Sequence, residues 1–151
     1  MKLEEALKSN RFADEVHKAG LNILYTAYWM KSHISAALKE IDLTAEQFNV
    51  LRILKGKHPE QMCVKDIASR MLEKNSNVPR IADRLVAKKL VKRTTSKEDK
   101  RETIMTLTEK GMHILDAANK TVEELNSRIM GIDNEDAKVL NELIEKMRKT
   151  D

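Results

Sequence analysis

The sequence predicts a mainly α-helical chain that carries one small β-ribbon. Three observations predict it. Four Gly and two Pro in 151 residues leave few positions that break a helix. Apolar residues recur at steps of three and four along six successive segments. Only two short runs, LVKRTT and RETIMTL, have the Thr, Val, Ile and Leu content of strands, and they flank a charged stretch.

The first segment runs from about Asn10 to Leu38. Phe12, Val16, Ala19, Ile23, Ala27, Met30, Ile34 and Ala37 form one helical stripe, widened by Leu24 and Trp29. A helix this long exceeds the width of a small core, so part of its apolar face is expected to meet another chain. LTAEQFNVLRILKG follows. Thr44 and Gln47 read as a capping box, Phe48, Leu51 and Leu54 as the inner face, and Gly56 as the C-terminal stop.

CVKDIASRML places Val64, Ile67, Ala68, Met71 and Leu72 on one face of a helix of about three turns. NSNVPRIADRLVAKKL repeats the pattern with Val78, Ile81, Ala82, Leu85 and Val86. Pro79 is tolerated only in a first turn, so this helix is expected to begin at Asn75 or Ser76, either of which can cap it. Two short helices joined by a few polar residues make a helix-turn-helix. The ribbon after them, with SKEDK as its loop, makes a wing. Thr108 caps a helix that ends near Met130, with Leu115, Ala118, Val122, Leu125 and Ile129 as a heptad-like seam. A last helix, about Asn134 to Lys149, carries Val139, Leu140, Leu143, Ile144 and Met147 on one face. The expected organisation is a single unit over 1–151: a winged-helix lobe at about 40–108, with helical segments at about 10–38 and 109–149.

The net charge is +4. It is unevenly spread, because Lys92, Arg93, Lys97, Lys100 and Arg101 outnumber Glu98 and Asp99 around the wing. One cysteine, Cys63, rules out a disulfide framework within the chain and fits a reducing cytosol. The charged N-terminus is not a signal peptide, and no apolar run reaches the ~18 residues of a membrane span. The expected setting is cytoplasmic, away from the membrane.

A helix-turn-helix lays its second helix in the DNA major groove. With the apolar stripe turned inward, the opposite face presents Ser76, Asn77, Arg80 and Arg84. Arg80 and Arg84 lie one turn apart on that face. Arg suits guanine, Asn suits adenine, and a Ser at a helix start suits a phosphate. Lys97 and Arg101 at the wing tip suit a minor groove or the backbone. Asp99, two residues before Arg101, is placed to orient its guanidinium. A solvated hairpin with incidental pairing explains the same wing residues.

LTAEQFNVLRIL, VKDIASRM, NVPRIADRLVAKKLVKR, the Asp99-Lys100-Arg101 triplet and LTEKG, taken in this order over residues 43–111, resemble the MarR family of winged-helix regulators. The resemblance implies a homodimer built by the N- and C-terminal helices. It also implies a recognition helix in the major groove, Arg101 in the minor groove, and a pseudo-palindromic duplex operator. Many members are repressors released by small phenolic or amphipathic ligands. The resemblance places such an effector near Trp29, Met30, His33 and Phe48, which an ordinary core explains equally well. Two departures stand out: Lys89 stands where members often carry Gly, and Pro79 lies in the recognition helix.

Cys63 reads as a small half-buried thiol at a helix start, rather than a redox sensor. His17, His33, His58 and His113 form no metal-ligand spacing. No phosphate loop, nucleophile motif or carboxylate pair with a His points to catalysis, and no cofactor is implied. The rival to a DNA-binding regulator is a winged-helix module that uses the Leu115–Ile129 seam for a protein partner, or a ligand-binding protein without DNA binding.

Overall fold

The computed structural model describes residues 1–97 and 100–148. Its elements in chain order are α1 (Leu3–Leu7), α2 (Glu15–Lys39), α3 (Ala45–Lys57), β1 (Met62–Cys63), α4 (Val64–Arg70), α5 (Val78–Ala87), β2 (Val91–Thr95), β3 (Thr103–Leu107), α6 (Glu109–Ile129) and α7 (Asn134–Met147). The mainly helical architecture with a small β wing is the expected one.

Side-chain caps set most helix starts. Asp14 accepts from His17 N–H ahead of α2. At α3 the Thr44 hydroxyl accepts from Gln47 N–H at 3.1 Å, and the Gln47 side chain accepts from Thr44 N–H at 3.2 Å. Cys63 takes the Ser/Thr role at α4, its Sγ accepting from Asp66 N–H at 3.4 Å. Its thiol is buried, more fully than the half-buried position expected.

The wing ribbon pairs antiparallel in the register Val91↔Leu107, Arg93↔Met105 and Thr95↔Thr103. A third strand, β1, was not expected from sequence. It adds Met62 opposite Met105 and Cys63 opposite Ile104, so β3 is the central strand. Met105 is fully buried where the sheet meets the helices.

Leu38, Leu51, Ile67, Met71, Leu85, Met105 and Leu115 join in one core beneath the helix-turn-helix. The α6 residues Leu115, Ala118 and Val122 belong to that core, and Leu125 is buried too. The seam is therefore used within the chain, which removes it as a free docking face for a protein partner. By contrast, α7 buries no residue. Val139 is 55% exposed and Leu143 54%, and on α2 Val16, Leu24 and Tyr28 are 69–76% exposed. The stripe of α2 meets the core only near its C-terminal end.

Four boundary expectations are corrected. α1 is a separate short helix, and α2 starts at Glu15 rather than Asn10. Gly56 lies inside α3, which ends on His58. α4 has seven residues rather than three turns, because Met71 leaves the helix with extended backbone. Leu72 is then 87% exposed instead of facing the core. The recognition helix begins at Val78, with Asn77 rather than Asn75 or Ser76 as its cap.

Lys89 settles the first departure. It adopts the left-handed conformation that Gly would take, with φ 61°. Lys89 N–H donates to Val86 O at 2.9 Å, and Leu90 N–H to Leu85 O at 3.0 Å, so α5 closes in a complete Schellman turn. The hydrogen bonds and the burial of Leu90 offset the steric cost of a side chain there.

Gly111 is fixed by proximity. A Cβ at Gly111 would lie 2.0 Å from the Leu90 carbonyl oxygen, a backbone atom with no room to retreat. We expect Gly111→Ala to destabilise the protein by about 3 kcal/mol or more, read as a lower urea midpoint. An unchanged midpoint would show that α6 does not sit against Leu90. Lys89→Gly should act in the opposite sense. Relief of the left-handed strain outweighs the extra freedom of the unfolded chain, for a gain of about 1 kcal/mol and a Tm rise of about 2–4 °C.

Candidate nucleic-acid interface

The surface of α5 opposite the core is built from the sequence outward. Val78, Ala82 and Leu85 turn inward and are buried. That leaves Arg80 and Arg84 on the exposed side. Pro79 falls in the first turn, where its missing N–H disturbs no helical bond. Together with Ser76 and Asn77, the two arginines line a groove of about 430 Å³ that α3 borders through Thr44, Glu46 and Gln47. The four residues singled out on α5 and its approach therefore do come together.

Two of them do different work from that expected. Asn77 Oδ1 accepts from Arg80 N–H at 3.1 Å as the helix cap, so the oxygen needed for two-bond adenine recognition is already engaged. The Ser76 hydroxyl oxygen is buried and has no hydrogen-bond partner among the described residues.

The wing projects beside the same helix. Lys97, Lys100 and Arg101 are exposed near its tip. Asp99 lies outside the described residues, and with it the expected bond to Arg101. Arg93 on β2 forms an ion pair with Asp83 on α5. This strut fixes the ribbon against the recognition helix. At the other end of α5, Lys88 Nζ bonds Asp42 O, reaches Asp42 Oδ2 at 3.2 Å and donates to the buried Gln47 Oε1 at 3.2 Å. Sequence reasoning missed both ties. For the strut, an Asp and an Arg ten residues apart across a helix-to-strand corner were the only available signal.

A pocket of about 400 Å³ opens between α2, α3 and the segment that leads into α5. Met30 and Phe48 line it, as expected, with Ile34 and Met71. Trp29 and His33 do not. Their rings meet at a tilt of 53° with centroids 4.7 Å apart, and His33 Nδ1 lies 2.9 Å from Trp29 O. They occupy another side of α2, a quarter-turn that the sequence stripe did not resolve. Across the pocket rim Lys31 Nζ meets Glu73 Oε1 at 2.5 Å, and the Glu73 carboxylate holds the Lys31 ammonium above its ordinary pKa. Among the described residues no three His, Cys, Asp or Glu side chains gather as a metal set, and no helix is long and apolar enough to cross a membrane.

A helix-turn-helix with a strutted basic wing defines a winged-helix DNA-binding protein. The MarR family model matches residues 43–103. A MarR transcription factor from Planctomyces limnophilus is 32% identical, with 91% of this chain and 98% of that one covered and a TM-score of 0.70. The chain therefore belongs to the MarR family of transcription regulators. The fold is shared with a mutant MarR from E. coli complexed with operator DNA, at 21% identity, TM-score 0.77 and coverage of 93% and 100%. It is shared also with Bordetella bronchiseptica BpsR, whose DNA binding is regulated by 6-hydroxynicotinic acid, at 23% identity, TM-score 0.73 and coverage of 86% and 93%. No curated protein matches the sequence.

The capping geometry yields a direct test. Asn77→Ala should lower stability by about 1 kcal/mol, and Asn77→Asp should restore most of it, measured by denaturant unfolding. Equal stability of the three proteins would remove Asn77 from its capping role.

Proposed function

We propose that the protein is a cytoplasmic, homodimeric, sequence-specific repressor whose DNA binding is relieved by a small aromatic or amphipathic ligand. The observation that carries this reading is the Asp83–Arg93 strut. It joins a helix face bearing Arg80 and Arg84 to a ribbon bearing Lys97 and Arg101, so two basic elements present one surface. Residues 40–108 form the DNA-binding lobe in this reading, and 10–38 and 109–149 the association helices.

The dimer is supported by the apolar faces that one chain leaves open. Val139, Leu140, Leu143 and Met147 recur on one side of α7, and Leu24 and Tyr28 on one side of α2. A contiguous exposed apolar face of this kind marks an interface. A two-fold axis repeats the recognition helices, which then meet half-sites about one turn of DNA apart, roughly 34–36 Å. The pocket beside the approach to α5 is the place where ligand binding favours a spacing that no longer fits the operator. The likeness to BpsR is in keeping with such control.

The test is a gel shift on genomic fragments of the source organism, with the oligomeric state read by sedimentation. A dimer that shifts a discrete fragment is the expected result, and a monomer that binds no duplex would overturn the reading. Two variants separate the roles. Arg101→Ala should weaken binding to all sequences alike and reduce the slope of log affinity against log salt by about 1. Arg80→Ala should cost about 1–3 kcal/mol at the preferred site and broaden the sites recovered in a selection experiment.

A further inference from the structure

α2 and the turn of the helix-turn-helix face each other across an open gap rather than a packed seam. Ala27, Met30 and Ile34 line one side of it, and Met71, Leu72 and Glu73 the other. α2 packs mainly on α6 and α3, and its one buried residue is Leu38. Seven residues before Leu38, about 10 Å along the helix, Lys31 Nζ meets Glu73 Oε1 at 2.5 Å. Among the described residues this is the only ion pair between α2 and the helix-turn-helix. Glu73 belongs to a short, self-bonded segment. Leu72 N–H donates to Asn49 Oδ1 at 2.9 Å, Ser76 N–H to Glu73 O at 3.1 Å, and Val78 N–H to Ser76 O at 3.0 Å. The segment therefore moves as one piece with Asn77, the cap of α5. A hold on Glu73 is a hold on the start of the recognition helix.

We infer that Lys31 and Glu73 are positioning residues for DNA binding: their bond sets the angle at which the winged-helix lobe sits on α2, and so the spacing of the two recognition helices in a dimer. The inference rests on the dimeric DNA-binding reading above and names the contact that fixes its geometry. Packing at Leu38 holds the lobe near its pivot, where it resists rotation least. The ion pair acts about 10 Å away, where even a weak bond has leverage. It is half exposed on both sides, with 48% and 49% of the side-chain surface accessible, so it is worth about two- to fivefold in the population of one lobe's pose. A lobe on an isolated half-site can follow the DNA and needs no fixed pose. Two lobes on one operator both need it, and the factor enters once for each. The sign of the charge makes the role distinguishable. Glu73 lines the groove that holds Arg80 and Arg84. A carboxylate that only stands beside that groove weakens binding to a polyanion, whereas one that holds the lobe in place strengthens it.

The test begins without DNA. In free Glu73→Gln the backbone amides of 72–78 should exchange with solvent about two- to fivefold faster than in the wild type, with a Tm close to wild type showing that the variant is folded. Binding is then measured to the duplex preferred by the wild type in a selection experiment, and to one half of that duplex. Glu73→Gln and Lys31→Gln should each bind the full site about four- to twenty-five-fold more weakly and the half-site as the wild type does. The double variant should be no weaker than either single one. Exchanging the charges, Lys31→Glu with Glu73→Lys, should recover most of the affinity, while Glu73→Lys alone stays weak. Tighter binding by Glu73→Gln, losses that add in the double variant, equal losses on full and half sites, no recovery on exchanging the charges, or unchanged amide exchange would each overturn the inference. Faster exchange with unchanged DNA affinity would overturn the positioning role and leave the DNA-binding reading standing. A wild-type protein that binds no duplex would overturn that reading and the positioning role with it.

Discussion

One backbone carbonyl, that of Leu90, holds the DNA-binding lobe in register. Its oxygen accepts from the Thr108 amide at 3.1 Å and shares the Thr108 hydroxyl with Lys89 O, at 3.1 Å and 2.8 Å respectively. It also occupies the space that any side chain at position 111 would need. The Leu90 amide in turn closes the end of α5 on Leu85. The last turn of the recognition helix, the first residue of the wing and the first turn of α6 are therefore defined by one residue's donor and acceptor. Buried backbone groups must be paired, so none of these elements can shift without leaving an orphan. Everything the basic face requires of its geometry follows from that corner.

The ion pairs around it refine orientation rather than supply stability. Asp83–Arg93, Lys88–Asp42 and Lys31–Glu73 all keep solvent access on at least one side, and such pairs are individually worth under about 1 kcal/mol. Their value lies in where they attach. Each links a different part of the helix-turn-helix to a different neighbour: α5 to the wing, the end of α5 to the α2–α3 corner, and the turn between α4 and α5 to α2. A lobe held this way is fixed by its core but aimed by weak ties, which suits a surface that has to change pose.

Features set by local chemistry were legible in the sequence. The Thr44–Gln47 box, the caps at Thr108 and Cys63 and the first-turn placement of Pro79 all depend on residues within a few positions of one another. The special role of Gly111 was visible only as part of a pattern, because its reason lies 21 residues away at Leu90. The misreadings share a cause as well. Helical periodicity says which residues share a stripe but not where the helix stops, so Leu72 was assigned inward two residues after α4 had ended. The same stripe drawn along α2 could not separate Met30, which meets the pocket, from Trp29 and His33, which turn aside. At Ser76 the residue type suggested a contact with anions, whereas the fold turns its oxygen into the protein. Lys89 shows the reverse: an unfavourable residue was accepted because tertiary bonds already demanded the left-handed turn.

The thiol cap at Cys63 equips the molecule with a built-in clock. It is the single cysteine of the chain, it is buried, and it sits where the edge strand β1 hands over to the first helix of the DNA-binding motif. A reagent in solution reaches its sulfur readily when β1 parts from β3 or the first turn of α4 opens. The rate at which the protein becomes alkylated thus reports local opening at the junction of β1 and α4, with no second cysteine to confuse the record.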